Sequence, residues 1–380
     1  MSDTAKSRLH ALHEQGQSVW LDYIRRGILE NGELAGMIRS YDLRGETSNP
    51  TIFEEAIGKG DDYDDAMETL AAEGVEAGEA FETVAVEDIQ DACDLFRPVY
   101  DEAGGHDGLV SIEVSPLLAE HTQETIDEAR RLWKLVDRPN VMVKVPGTDE
   151  GIPAIEQLLF EGLNINITLL FSLRGYEAVM EAFLRGMERR AEAGLPLDHV
   201  ASVASFFVSR VDSSVDAQLE KIAAEGGARG EKAKSVMGRA AIANAKMAYL
   251  RFTQVFSGER WERLKAKGAR VQRPLWASTS TKNKAYRDVI YVEELIGPDT
   301  VNTMPLATIE AFADHGEVRR TVDTDLDRAR ADLATLQELG IDLDAVTEQL
   351  QVEGVEKFSK SFRQMIQTVD EKLTRVAQET

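Results

Sequence analysis

One lysine stands inside the run Val141-Met142-Val143-Lys144-Val145-Pro146-Gly147-Thr148, an apolar, β-branched stretch that a Pro-Gly pair brings to an end. As a strand the run alternates: Met142 and Lys144 take one face, Val143 and Val145 the other, and the amine is carried inside near the strand's C-terminal end. Desolvation disfavours the charged form of an amine, and the neutral form is the one that condenses with a carbonyl. The competing reading is a lysine whose stem packs while its head reaches water. What the other strands bring to the same place decides between them.

Two of them bring carboxylates. The short strand Ser18-Val19-Trp20-Leu21-Asp22-Tyr23 puts Trp20 and Asp22 on one face, so an acid sits at its C-terminal end. Asp22 is a candidate acid/base, and equally a candidate N-cap for the helix expected over residues 24–29. In the strand over residues 108–116, Ser111 and Glu113 share a face, which again leaves a carboxylate at the end. Residues 163–171 alternate throughout, with Asn164, Asn166 and Thr168 opposite Ile165, Ile167 and Leu169. That pattern predicts a polar interior pocket, or else a strand with one solvated face. The strand over residues 199–210 delivers Ser205 and then Arg210 at its exit, residues 270–276 open into the polar loop 277–283, and residues 300–305 form the last strand. The polar segment 45–51 is stopped by its Asn-Pro step, so Asn49, just before a helical pattern, is a site residue or only a turn residue.

Helical periodicities separate these strands, over residues 52–99 (broken at 58–65), 122–135, 151–160 and 175–191. About eight strand signals alternating with helices predict a (β/α)8 barrel, an α/β fold whose site lies at the C-terminal strand ends, where the polar residues fall. The expectation is a single domain over residues 1–380, with a helical insertion at about 211–267 and a C-terminal helical extension at about 321–380. In that extension Val352, Val355, Phe358, Phe362, Met365, Ile366, Val369, Leu373 and Val376 form the stripe of a long amphipathic helix, to be buried on the barrel or in a homodimer. The segment Gly58-Lys59-Gly60-Asp61-Asp62-Tyr63-Asp64-Asp65 has neither the Gly-Lys-Ser/Thr of a phosphate loop nor the sixth-position glycine of a calcium loop, and is expected to be a solvated acidic loop.

Lys+Arg 43 against Asp+Glu 67 gives a net charge of −24, which disfavours nucleic acid and anionic membranes and requires any phosphate site to be locally basic. A single cysteine, Cys93, allows no intrachain disulfide and fits a reducing compartment. No apolar run of the ~20 residues that a membrane helix needs is present, and the polar stretch over residues 1–17 lacks a signal core. A cytoplasmic protein is expected. The six histidines are scattered, His10 and His13 have no further ligands beside them, and no metal or cofactor is expected.

Asp22, Glu113, Lys144, Asn166 and Thr168, with Asn49 beside them, supply what Schiff-base aldol chemistry needs. The segments Thr47-Ser48-Asn49-Pro50-Thr51, Val114-Ser115-Pro116, Val143-Lys144-Val145-Pro146-Gly147-Thr148, Asn166-Ile167-Thr168-Leu169-Leu170-Phe171-Ser172 and Met304-Pro305 closely resemble the transaldolase family over nearly the whole chain. The resemblance implies a class I aldolase-type barrel that moves a dihydroxyacetone unit from sedoheptulose 7-phosphate to glyceraldehyde 3-phosphate, giving erythrose 4-phosphate and fructose 6-phosphate. It implies Lys144 as the Schiff-base lysine, Asp22 as the base at the C4 hydroxyl, and Glu113 as a proton shuttle through a water that Thr168 helps to hold. Asn49 and Asn166, with Ser205 nearby, would bind substrate hydroxyls, and Arg210 the phosphate. The sequence departs from the family where a second phosphate-binding arginine is expected: the loop reads Ser278-Thr279-Ser280-Thr281-Lys282-Asn283, with Lys282 as the substitute. The rival readings are a fructose 6-phosphate aldolase of the same fold, against which Glu113 and the length argue, and a catalytically silent scaffold, which has no need of such strand ends.

Overall fold

The computed structural model describes residues 3–379, leaving Met1, Ser2 and Thr380 outside. Eight parallel strands close into a barrel in sequence order: β1 (Gln17–Asp22), β2 (Gly45–Thr47), β3 (Leu109–Glu113), β4 (Val141–Pro146), β5 (Ile165–Leu170), β6 (Ser202–Phe207), β7 (Arg273–Ala277) and β8 (Thr300–Met304). Parallel strands under a helical shell are buried on both faces, and every residue of β4 to β8 is. The (β/α)8 expectation holds, and Arg210 changes place within it. The sixth strand ends at Phe207, so Arg210 lies in the first turn of the helix Ser209–Ala224 and not on a strand.

The segment 45–51, expected to be irregular, contains β2. Three residues, Gly-Glu-Thr, are too short and too polar to show a period, but they pair with β1 and β3 on both sides. Gly45 is required there: a Cβ would lie 2.6 Å from the indole of Trp20, its register partner on β1, and 2.7 Å from Leu109 O. The largest side chain of the barrel floor thus fills the space that its neighbour leaves empty.

The alternation of residues 163–171 has a fault. Leu169 adopts a left-handed conformation (φ 61°), and the β5–β6 register shifts between Ile167 and Leu170. A non-glycine residue there is strained, and such bulges re-aim side chains beside active sites. Asn164 precedes the strand and ties its neighbours together, donating to Pro139 O and Val141 O and accepting from Ala201 N. At the opposite end from Lys144, Arg273 and Asp107 form a buried ion pair of 2.9 Å, with Ser18 Oγ bonded to both and His106 O accepting from the guanidinium.

The helix Leu343–Glu379 runs for 37 residues, about 55 Å at 1.5 Å per residue. Its stripe is buried within the chain. Phe358, Met365, Val369, Leu373 and Val376 are buried, the last three in a second core with Ile57, Tyr63 and Met67. Val352 is the exception, 54 % exposed on the outer face. The acidic loop is not merely solvated. Tyr63 is fully buried, Asp62 pairs with Arg25, and Asp64 pairs with Lys372, whose ammonium also donates to Ile57 O and Gly60 O. The loop is where the last helix docks. No helix among the described residues is long and apolar enough to cross a membrane.

Candidate active site

Barrel registry brings the reactive groups together. Glu113, the last residue of β3, is the register partner of Lys144 on β4, and Lys144 is in turn the partner of Asn166 on β5. Lys144 is 5 % exposed; its amine lies 3.0 Å from Glu113 Oε2 and donates to Ser48 O at 2.9 Å. No hydroxyl or backbone N–H among the described residues bonds the Glu113 carboxylate. Burial pushes the Glu113 carboxyl above the usual range, the Lys144 ammonium opposes that, and the Asp22 charge adds to it. A carboxylate reluctant to be charged, touching an amine that must shed a proton, is suited to moving that proton.

Asp22 ends β1, in register with Thr47 at the end of β2. Its Oδ1 accepts from Thr47 Oγ1 at 2.8 Å, and that hydroxyl also meets Thr303 Oγ1 at 2.6 Å. Burial raises the Asp22 carboxyl, while Lys144, the Thr47 hydroxyl, Lys282 and Arg210 each pull it down. The following helix starts at Arg26 with Arg25 as its N-cap, so the capping alternative for Asp22 falls. Asn49 does cap: its Oδ1 accepts from Thr51 N and Ile52 N, at 3.0 and 3.1 Å, at the start of the helix Pro50–Gly58. The turn reading applies to Asn49, which also lines the central cavity.

That cavity, about 410 Å³, opens at the C-terminal ends of the strands. Asp22, Asn49, Lys144, Thr168, Ser205, Arg210 and Lys282 all line it. Asn166 lies in the layer beneath, donating to Ser111 Oγ at 3.0 Å and accepting from Ser205 Oγ at 2.7 Å, so it fixes the serine that faces the cavity. Thr168 is fully buried, and its Oγ1 finds no hydrogen-bond partner among the described residues. A buried hydroxyl without a protein partner, facing a cavity, is a place for water or substrate. Arg210 stacks its guanidinium over the Phe207 ring at 5.2 Å; burial lowers its pKa and Asp22 opposes that. Lys282 donates to Ser280 Oγ at 2.7 Å. Its loop is fastened to the Arg210 helix by Ser209 N donating to Ser278 O and by the paired hydroxyls of the two serines, each contact 3.0 Å.

Sequence reasoning passed over several lining residues. Thr47 and Thr303 carry no signature beyond an inward strand position, and Phe207 none beyond an apolar one. Lys357 carries no signal in the sequence, because the apolar stripe is the one pattern that the C-terminal helix displays. Phe358, within that stripe, lines the cavity beside it. Gln351, on the same helix, donates to Gly147 O at 3.0 Å and to Leu169 O at 3.1 Å, bridging the exits of the Lys144 and Thr168 strands.

Comparison with known proteins agrees with this geometry. The chain is 51 % identical over 370 residues to a protein of Parafrankia sp. named transaldolase, covering 97 % of this chain and 99 % of that one. It is 48 % identical over 366 residues to transaldolase 1 of Streptomyces coelicolor, covering 96 % and 94 %. It is 45 % identical over 376 residues to a transaldolase of Trichodesmium erythraeum, covering 97 % and 98 %. The sequence model described as transaldolase/fructose-6-phosphate aldolase matches residues 19–369, and the chain belongs to that family.

Proposed function

We propose that this protein is a transaldolase acting through a Schiff base on Lys144, passing a dihydroxyacetone unit between sedoheptulose 7-phosphate and glyceraldehyde 3-phosphate. The observation that carries the reading is the buried Lys144 amine, 3.0 Å from the Glu113 carboxylate at the floor of a cavity that Asp22 also lines. The amine attacks the C2 carbonyl of the ketose, and Glu113 moves the proton that lets the carbinolamine lose water. The Thr168 hydroxyl holds that water. The resulting iminium accepts the electron pair of the C3–C4 bond while Asp22 takes the C4 hydroxyl proton and the aldose leaves. The enamine then adds to the acceptor aldehyde, Asp22 returns its proton, and water releases the new ketose.

Asn49 and Ser205 are placed to bond substrate hydroxyls, with Asn166 holding Ser205 in position. Arg210 and Lys282 grip the phosphate, and that remote binding presses the carbonyl against Lys144. The unpaired, buried thiol of Cys93 fits a cytoplasmic enzyme. Borohydride with fructose 6-phosphate tests the assignment, because only an iminium is reduced to a stable amine. A three-carbon adduct on Lys144 is expected, with none on Lys144→Ala; an adduct mapping to another lysine overturns it. A coupled assay with and without erythrose 4-phosphate then separates transfer from simple release of dihydroxyacetone, and turnover that ignores the acceptor refutes the transferase reading.

A further inference from the structure

Three cations converge on the mouth of the cavity from three different parts of the chain. Arg210 comes from the helix after β6, Lys282 from the loop after β7, and Lys357 from the C-terminal helix. In a chain with 67 acidic residues against 43 basic ones, most such side chains find a carboxylate. These three have none within ion-pair distance among the described residues. Arg210 rests on a ring and Lys282 on a hydroxyl. Of the carboxylates lining the same cavity, Asp22 belongs to the catalytic end and bonds Thr47, and Glu55 is taken up by Lys59 at 3.2 Å. The field of Arg210 lowers the pKa of Lys357 more than its own burial does, and Lys282 adds to that. Asp22 acts on Arg210 and Lys282 only at a distance, so the three like charges, with no direct ion-pair partner, repel one another, and a dianion seated among them removes that repulsion.

The helix segment that carries Lys357 is anchored, while the lysine side chain itself is exposed. Phe358 beside it is buried, and Gln351, upstream on the same helix, is bonded to Gly147 O and Leu169 O. We propose that Lys357 is a third phosphate ligand, so that the C-terminal helix supplies part of the subsite that selects phosphorylated sugars. This rests on the transaldolase reading for its substrate, though not for its anion.

The test uses the intact protein. Inorganic phosphate titrated by calorimetry should bind Lys357→Gln at least fivefold more weakly than the wild type, and Lys357→Arg should recover most of the affinity. Lys360→Gln makes the same charge change on the same helix, but that residue does not line the cavity, and it should bind phosphate as the wild type does. In turnover, the ratio of kcat/KM for fructose 6-phosphate to that for fructose should fall at least fivefold in Lys357→Gln. An unchanged ratio, or equal phosphate weakening in the Lys357 and Lys360 variants, overturns the proposal. Wild-type protein that binds phosphate through Lys357 yet gives no borohydride adduct would refute the catalytic reading and leave this inference standing.

Discussion

Glu113 and Lys144 face each other as register partners on adjacent strands, with carboxylate and amine 3.0 Å apart and both side chains less than a tenth exposed. In the proposed mechanism this pair acts on the proton of the amine, before any carbon–carbon bond is touched. Glu113→Gln keeps the shape and removes the proton acceptor. Single-turnover trapping with fructose 6-phosphate should then show adduct formation slowed by about 10²–10⁴, the usual range for loss of a positioned acid/base. Adduct formation at the wild-type rate would place the proton transfer elsewhere.

In the proposed mechanism Asp22 enters one step later. Asp22→Asn should still form the reducible adduct, because Lys144 and Glu113 are intact, but should stall at C3–C4 cleavage by a similar factor of about 10²–10⁴. Quenched-flow measurement of released glyceraldehyde 3-phosphate checks this. Undiminished cleavage would reduce Asp22 to a partner of Thr47.

The cations proposed to bind phosphate should also set the pH response. Asp22 must be ionised to accept a proton, burial holds its pKa above the usual carboxylate range, and the Lys282 charge pulls it down. Removing that charge lets it rise. The acidic limb of kcat/KM should therefore move to higher pH in Lys282→Ala, and should move the same way in Arg210→Ala, since Arg210 acts on Asp22 with the same sign. Arg210→Ala should also raise KM for phosphorylated ketoses more than Lys282→Ala does, because a stacked guanidinium fork binds two phosphate oxygens and an ammonium acts as a point charge. A limb that stays in place in both variants would show that the limiting base is not Asp22.

Beneath the site, stability depends on Arg273. Replacing it with Ala leaves Asp107 buried without its cation, held only by the Ser18 hydroxyl, and removes the guanidinium donor from Ser18 Oγ and His106 O. Breaking one side of a buried ion pair costs about 3–5 kcal/mol. Urea unfolding should show that loss in the midpoint, with little change in the slope. Burial and the Arg273 charge together hold His106 at a pKa of about 4, with Arg273 the larger cause, so the histidine should titrate closer to its ordinary value in the variant by NMR. A midpoint equal to wild type would mean that the floor tolerates an unpaired aspartate.

The strands that carry chemistry were legible because a charged or amide side chain inside a β-branched run stands out against its neighbours, as with Lys144, Glu113 and Asn166. β2 was not legible. Its three residues have no hydrophobic alternation, and they are a strand only because β1 and β3 offer hydrogen bonds on both sides. The bulge at Leu169 escaped for the opposite reason: the sequence there alternates well, and the irregularity shows only in the pairing with β6. Lys357 and Gln351 were missed because they lie far along the chain from every strand that they serve. Their proximity to Lys144 is a property of how the last helix lies across the barrel mouth. Arg210 was found because it follows a strand directly, although the strand ends sooner than its apolar run suggests.

All eight strands are complete at Met304, whereas the helix that carries Gln351 and Lys357 begins at Leu343. A chain leaves the ribosome N-terminus first and folds in that direction. The strand that carries Lys144 therefore leaves the ribosome well before the amide that bridges Gly147 and Leu169, and before Lys357. Any barrel that closes on the earlier residues alone has an uncovered mouth and lacks the Lys357 share of the proposed phosphate grip. On the proposed mechanism, the order of synthesis thus delays the first turnover until the helix that carries both residues has docked.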